Sequence, residues 1–165
     1  MADEYSFDIV SEVNLQYIDD VVNTANKEIS VRFDFRGSVS RLDIDKEKNE
    51  ITLYSDDTGK LKSVVQIFQS RAAKRGVDLK AFDFQKEEAS LGGKVRQIVK
   101  IQQGLNQEKA KEIVADIKKS KEKVTPSIKG DQIRVSSKSK DVLQNIIQLL
   151  KGKNYGIPLQ FTNYR

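Results

Sequence analysis

Two periods of apolar spacing alternate along this 165-residue chain, and each switch between them marks an element boundary. Phe7 to Val13 repeats every second residue and reads as a strand. Asn14 follows as a helix cap, and Leu15, Ile18, Val21, Val22, Ala25 and Ile29 then share one helical face. RFDFRGSVSRLDID, residues 32–45, and ITLYS, residues 51–55, read as two strands joined by the polar turn Lys46 to Glu50. Leu61, Val64, Val65 and Phe68 predict a second helix behind the cap Asp57, and Phe82 to Phe84 a short closing strand. The rest of the chain repeats this order. Val95 to Ile101 is a strand, and Asn106 caps a helix carrying Ala110, Ile113, Val114 and Ile117. VTPSIK and QIRVSSK form a hairpin across Gly130-Asp131. Pro126 puts its strand at an edge or at a strand start. A last helix carries Leu143, Ile146, Ile147 and Leu150 behind Ser139, and Leu159 to Phe161 closes the pattern.

The two series are related by a constant offset of 82 residues, from Ile51, Leu53, Ser55, Leu61, Val64, Val65 and Phe68 to Ile133, Val135, Ser137, Leu143, Ile146, Ile147 and Leu150. Each half therefore reads β-α-β-β-α-β. The fold class is α+β, with two ferredoxin-like domains from an internal duplication, each an antiparallel four-stranded sheet with two helices on one face. Glu87 to Gly93 lacks periodicity and reads as the hinge.

Alternation sorts the strand residues by face. In Arg32-Phe33-Asp34-Phe35-Arg36 the two phenylalanines would be buried and the three charges exposed, because burying unpaired charge is costly. The same sorting turns Ile128 inward and puts Arg32, Arg36, Arg96, Lys100, Lys129 and Arg134 on the open sheet faces, with Tyr54 among them. Guanidinium groups hold phosphate bidentately and a tyrosine ring stacks on a base, so these seven residues are the candidate site. Arg32 and Arg36, four residues apart on a strand, would lie ~13 Å apart and could clamp two phosphates. Gly92-Gly93-Lys94 has the wrong spacing for a phosphate-binding P-loop.

Composition narrows the chemistry. Cysteine and histidine are both absent, which removes thiol nucleophiles, imidazole bases and the usual zinc ligands. No catalytic or metal site and no cofactor is expected, and the chain reads as a non-enzyme. Net charge is +5, yet residues 1–90 hold 13 Lys and Arg against 18 Asp and Glu, whereas residues 91–165 hold 16 against 6. That split suggests a basic half that attracts phosphate. Mean hydropathy is −0.56. No apolar run approaches the ~18 residues of a membrane span, and the acidic N-terminus lacks the pattern of a secretory signal, so a cytoplasmic protein is expected.

The motifs SFDIVSEVN, RFDFRGS, VKIQQGLNQEKAKEI, KVTPSIKGDQIRVSSKSKDVLQ and LQFTNYR together resemble the YajQ family of bacterial nucleotide-binding proteins over essentially the whole chain. The resemblance implies that the first strands of the two domains are exchanged. A first domain over 14–93 would be completed by a strand at 94–102, and a second over 104–165 by a strand at 6–13. Neither half should then fold well alone. It also implies binding of nucleotides or RNA, including tRNA, and for some members reception of cyclic di-GMP in partnership with a transcription factor. Arg32, Arg36 and Gly37 lie in the RFDFRG motif, and Lys129, Gly130 and Arg134 in KGDQIRV. Three functions are thus expected: a nucleotide or RNA binder using open sheet faces, a cyclic di-GMP sensor with its ligand between the domains near Arg32 and Arg36, or a protein-interaction or folding-assistance module that docks through the acidic half.

Overall fold

A computed structural model describes residues 4–165; the first three residues of the acidic N-terminal stretch lie outside it. The elements follow in the order β1 (Tyr5–Val10), α1 (Leu15–Val31), β2 (Arg41–Asp45), β3 (Glu50–Ser55), α2 (Thr58–Arg75), β4 (Phe82–Ala89), β5 (Val95–Ile101), α3 (Gln107–Lys119), β6 (Thr125–Lys129), β7 (Gln132–Ser137), α4 (Lys140–Lys151) and β8 (Gln160–Thr162). Each helix starts where the sequence places its cap. The side chains of Asn14, Asp57, Asn106 and Ser139 all accept backbone N–H bonds from the first turn. No helix among the described residues is long and apolar enough to cross a membrane.

The strands form two antiparallel four-stranded sheets, ordered β6-β7-β1-β8 and β2-β3-β5-β4. Each is the sheet of a ferredoxin-like unit, and each borrows its central strand from the other part of the chain. β1 pairs with β7 in the register Phe7↔Val135 and Ile9↔Ile133, and with β8 through Ile9↔Phe161. β5 pairs with β3 through Ile51↔Val99 and with β4 through Phe82↔Ile101. One unit accordingly comprises residues up to Glu12 together with Gln103–Arg165, and the other Val13–Gln102.

Each unit has its own core. Ile18, Val21, Val22, Ala25 and Ile29 of α1 meet Leu61, Val64 and Phe68 of α2 over Ile51, Leu53 and Val99. In the other unit Phe7 and Ile9 lie under Ile113, Ile117, Ile146 and Leu150, beside Ile133 and Val135. Phe7, Ile9 and Val99 are all fully buried, so each exchanged strand carries core area that its host unit cannot supply.

The structure corrects four local expectations. Residues 32–40 are not strand, and the segment RFDFRGSVSRLDID contributes only Arg41–Asp45 to β2. Phe33 is 81% exposed, although Phe35 is buried. Ile128 is 42% exposed, because β6 is an edge strand. Glu87 to Gly93 is not a hinge but the end of β4 and the tight connection into β5. The charge split also dissolves. Once β1 and β5 change places, Val13–Gln102 holds 16 Lys and Arg against 14 Asp and Glu, and the other unit 13 against 10. Neither unit is acidic, so the motive for an acidic docking half is gone.

Candidate functional site

The segment between α1 and β2 builds a groove in the Val13–Gln102 unit. α1 ends at Val31, and Arg32 takes an extended conformation. One turn of 3-10 helix follows over Phe33–Phe35, closed by bonds from the Phe35 amide to the Arg32 carbonyl and from the Arg36 amide to the Phe33 carbonyl. Three residues per turn place positions two apart on different sides, ~120° from each other. Only one of the two phenylalanines can then face the core. Phe35 does, beneath the side chains of Arg32 and Lys60, at 5.4 and 5.6 Å from its centroid. Phe33 turns to solvent with the Arg36 guanidinium 5.6 Å from its ring centroid.

The groove encloses about 810 Å³ and is lined by Asn26, Arg32, Phe33, Arg36, Ser38 and Arg41 among others. Its floor is fixed on two sides. Asn26 donates to the Leu42 carbonyl and accepts from the Leu42 amide, both at 2.9 Å, occupying the β2 edge as a neighbouring strand would. On the other side Ser38 donates to the Asp56 carboxylate. A carboxylate only accepts and each hydroxyl carries one proton, so the chain of bonds runs Ser55 to Ser40 to Ser38 to Asp56, at 2.8 and 2.7 Å for the first two links. The Ser38 bond holds the Asp56 carboxyl below its usual value against the effect of burial, helped by the Val39 amide and Lys94. Gly37 between these parts has φ +71°, where a β-carbon is disfavoured even though the space around it is open.

The seven sequence-based candidates do not form one surface. Arg32 is held by a bidentate pair with Asp34, at 2.8 and 3.0 Å, and by Glu28 at 3.2 Å. Glu28 also takes Arg71 at 2.8 Å. Burial pushes the Glu28 carboxyl up, but the two arginines outweigh it and hold it low. Arg96 pairs with Glu88 at 3.0 Å. Arg134 pairs at 3.0 Å with Asp8, which is buried and also accepts from Asn163. Burial raises the Asp8 carboxyl; the Arg134 and Asn163 hydrogen bonds more than reverse this. Tyr54 lies under the Arg41 guanidinium, 4.0 Å from its ring centroid. Lys100 and Lys129 are exposed and, like Arg36, have no ion pair among the described residues. Only Arg32 and Arg36 share the groove.

Sequence reasoning missed Phe33 as an outward ring and Arg41 as a lining cation. It also missed the Ser38–Asp56 latch. One signal was available: Glu28 and Arg32 stand four apart, the spacing of a helical ion pair, which conflicts with a strand beginning at Arg32.

Two ferredoxin-like units with exchanged central strands, one carrying an arginine-lined groove with an exposed ring, define a duplicated α+β binding protein. Residues 5–165 match the family described as "Nucleotide-binding protein YajQ-like". The chain is 49% identical to a "Nucleotide-binding protein" of Carboxydothermus hydrogenoformans and 53% identical to one of Elusimicrobium minutum, each over 165 residues and the full length of both chains. It is 52% identical to a third, from Desulforamulus reducens, over all of this chain and 99% of the other. This chain belongs to the YajQ family.

Proposed function

We propose that this protein binds a nucleotide without transforming it, with the base against Phe33 and phosphate on Arg36; Arg41, paired with Asp43 at 3.2 Å, lies at the far edge of the groove. The observation that carries this reading is the 81% exposed Phe33 ring beside a guanidinium, that of Arg36, with no carboxylate partner among the described residues. An exposed aromatic ring costs solvation that a stacked base recovers, about 1–3 kcal/mol per base. An unpaired arginine can take phosphate without first breaking an ion pair. The family description and the names of the relatives support the ligand class. The absence of histidine and cysteine supports binding rather than catalysis.

A cyclic dinucleotide is the second reading, because three guanidinium groups, those of Arg32, Arg36 and Arg41, line one groove. RNA laid across the sheet faces is less favoured, since Arg96 and Arg134 are paired there with no exposed ring beside them, whereas the groove, where Arg32 and Arg41 are likewise paired, adds the unpaired Arg36 next to Phe33. Calorimetry with ATP, GTP, cyclic di-GMP and tRNA at two salt concentrations separates these ligands. For the nucleotide that binds, Phe33→Ala and Arg36→Ala should each weaken affinity about tenfold or more. Both side chains are exposed, so the fold is kept. Unchanged affinity in both variants would overturn the placement.

A further inference from the structure

We propose a second anion site, in the unit formed with Gln103–Arg165, that takes a compact polyphosphate group and needs no base. A cavity of about 750 Å³ lies there, between the α3–β6 loop and the β7–α4 junction. Lys121, Lys123 and Lys138 line it together with the hydroxyls of Thr125, Ser136 and Ser139. All three lysines are exposed. Glu4 and Glu122 line the same cavity, yet no ion pair joins any of these lysines to a carboxylate among the described residues. Ten other lysines and arginines do make such pairs. Three ammonium groups against two carboxylates leave the concave lining with a net positive charge, and the ammoniums free to meet an anion without breaking a direct ion pair.

The backbone that carries them is fixed. The Lys121 amide bonds the Lys118 carbonyl at 3.2 Å, the Val124 amide bonds the Glu122 carbonyl at 2.9 Å, and the buried Ser137 hydroxyl donates to the Lys123 carbonyl at 2.9 Å. Lysine ammoniums are compact point charges with donors in several directions. They suit a clustered, non-planar anion such as a polyphosphate better than a flat carboxylate. No aromatic side chain lines this cavity, so nothing there recognises a base.

The test is a titration of the isotope-labelled full chain with inorganic triphosphate, followed by amide NMR. Saturable shifts are expected at residues 121–125 and 136–142. Lys123→Gln with Lys138→Gln should weaken the affinity about tenfold, and Glu122→Gln should strengthen it severalfold. A matched control, Lys74→Gln with Lys80→Gln, should change little. ATP in place of triphosphate distinguishes a nucleotide tail from a free polyphosphate as the source. Phe33→Ala leaves the triphosphate shifts intact, so this site and the groove fail or stand separately. Absent or non-saturating shifts, or equal weakening by the control pair, would overturn the proposal.

Discussion

The two α-to-β loops of the duplicated fold occupy related places and have diverged in opposite directions. In the Val13–Gln102 unit the loop between α1 and β2 has nine residues, 32–40; its counterpart between α3 and β6 has five, 120–124. The four additional residues provide the 3-10 turn that pushes Phe33 out and leaves Arg36 unpaired. The position after β3 is Asp56, which latches Ser38. Moved by the 82-residue offset of the repeat, the same position is Lys138. A negative anchor in one unit is thus a positive cavity wall in the other. The buried serine just before it, Ser55 or Ser137, fixes the loop in both. The duplication thus preserved the scaffold and the buried serine that ties down each loop, while loop length and one charge set what each concave surface offers to solvent.

That contrast can be broken in graded steps. The largest effect should come from the exchanged strands. Phe7→Ala empties a fully buried site in the unit completed by β1, at a cost of about 3–5 kcal/mol. Hydrogen exchange should show the loss concentrated in α3, α4 and β7 rather than α1 and α2. Equal loss in both sets would mean that the cores are not separate. A smaller effect is expected for Asp56→Asn, which weakens the Ser38 bond and abolishes the Lys94 pair at 3.6 Å. The cost should be about 1–3 kcal/mol, with faster exchange at residues 38–40 and weaker nucleotide binding through a mobile Arg36. Stability equal to the original chain would remove the latch from the account.

The smallest effect is on pH. The Asp56 carboxyl lies below its ordinary value when folded, so its contribution is complete above the unfolded value of about 3.9 and is lost as pH falls through the folded value. Protection of residues 38–40 should fall in that acid window before protection of residues 120–124, whose related position is a lysine. Asp8, and Glu28 and Asp34 around the start of the same loop, titrate in the same sense, so the Asp56 share is the part of the early loss at 38–40 that disappears in Asp56→Asn. Simultaneous loss in both loops would contradict the assignment.

Helix faces, caps and the repeat were legible in the sequence because each is set by local spacing. The four caps and the buried faces of α1, α2, α3 and α4 needed no long-range information. The strand exchange was not legible from spacing: β1 presents the same alternation whichever sheet receives it, and only the family resemblance indicated the partner. The site failed for a more specific reason. Two-residue alternation in Arg32 to Arg36 presupposed an extended chain, whereas the Glu28–Arg32 pair and the Arg32–Asp34 pair stabilise a turn. In that turn Phe33 faces solvent, where an extended chain would have buried it beside Phe35. Nor could alternation find Asp8 and Glu88, which hold Arg134 and Arg96 and lie at distances in sequence that it cannot see.

The most direct measurement is the nuclear Overhauser contact between base protons of a bound nucleotide and aromatic ring protons of the protein. A base stacked in the groove predicts contacts to the Phe33 ring, lost in Phe33→Ala. Contacts instead to Tyr54, or to Tyr164 in the other unit, would contradict the proposed binding mode.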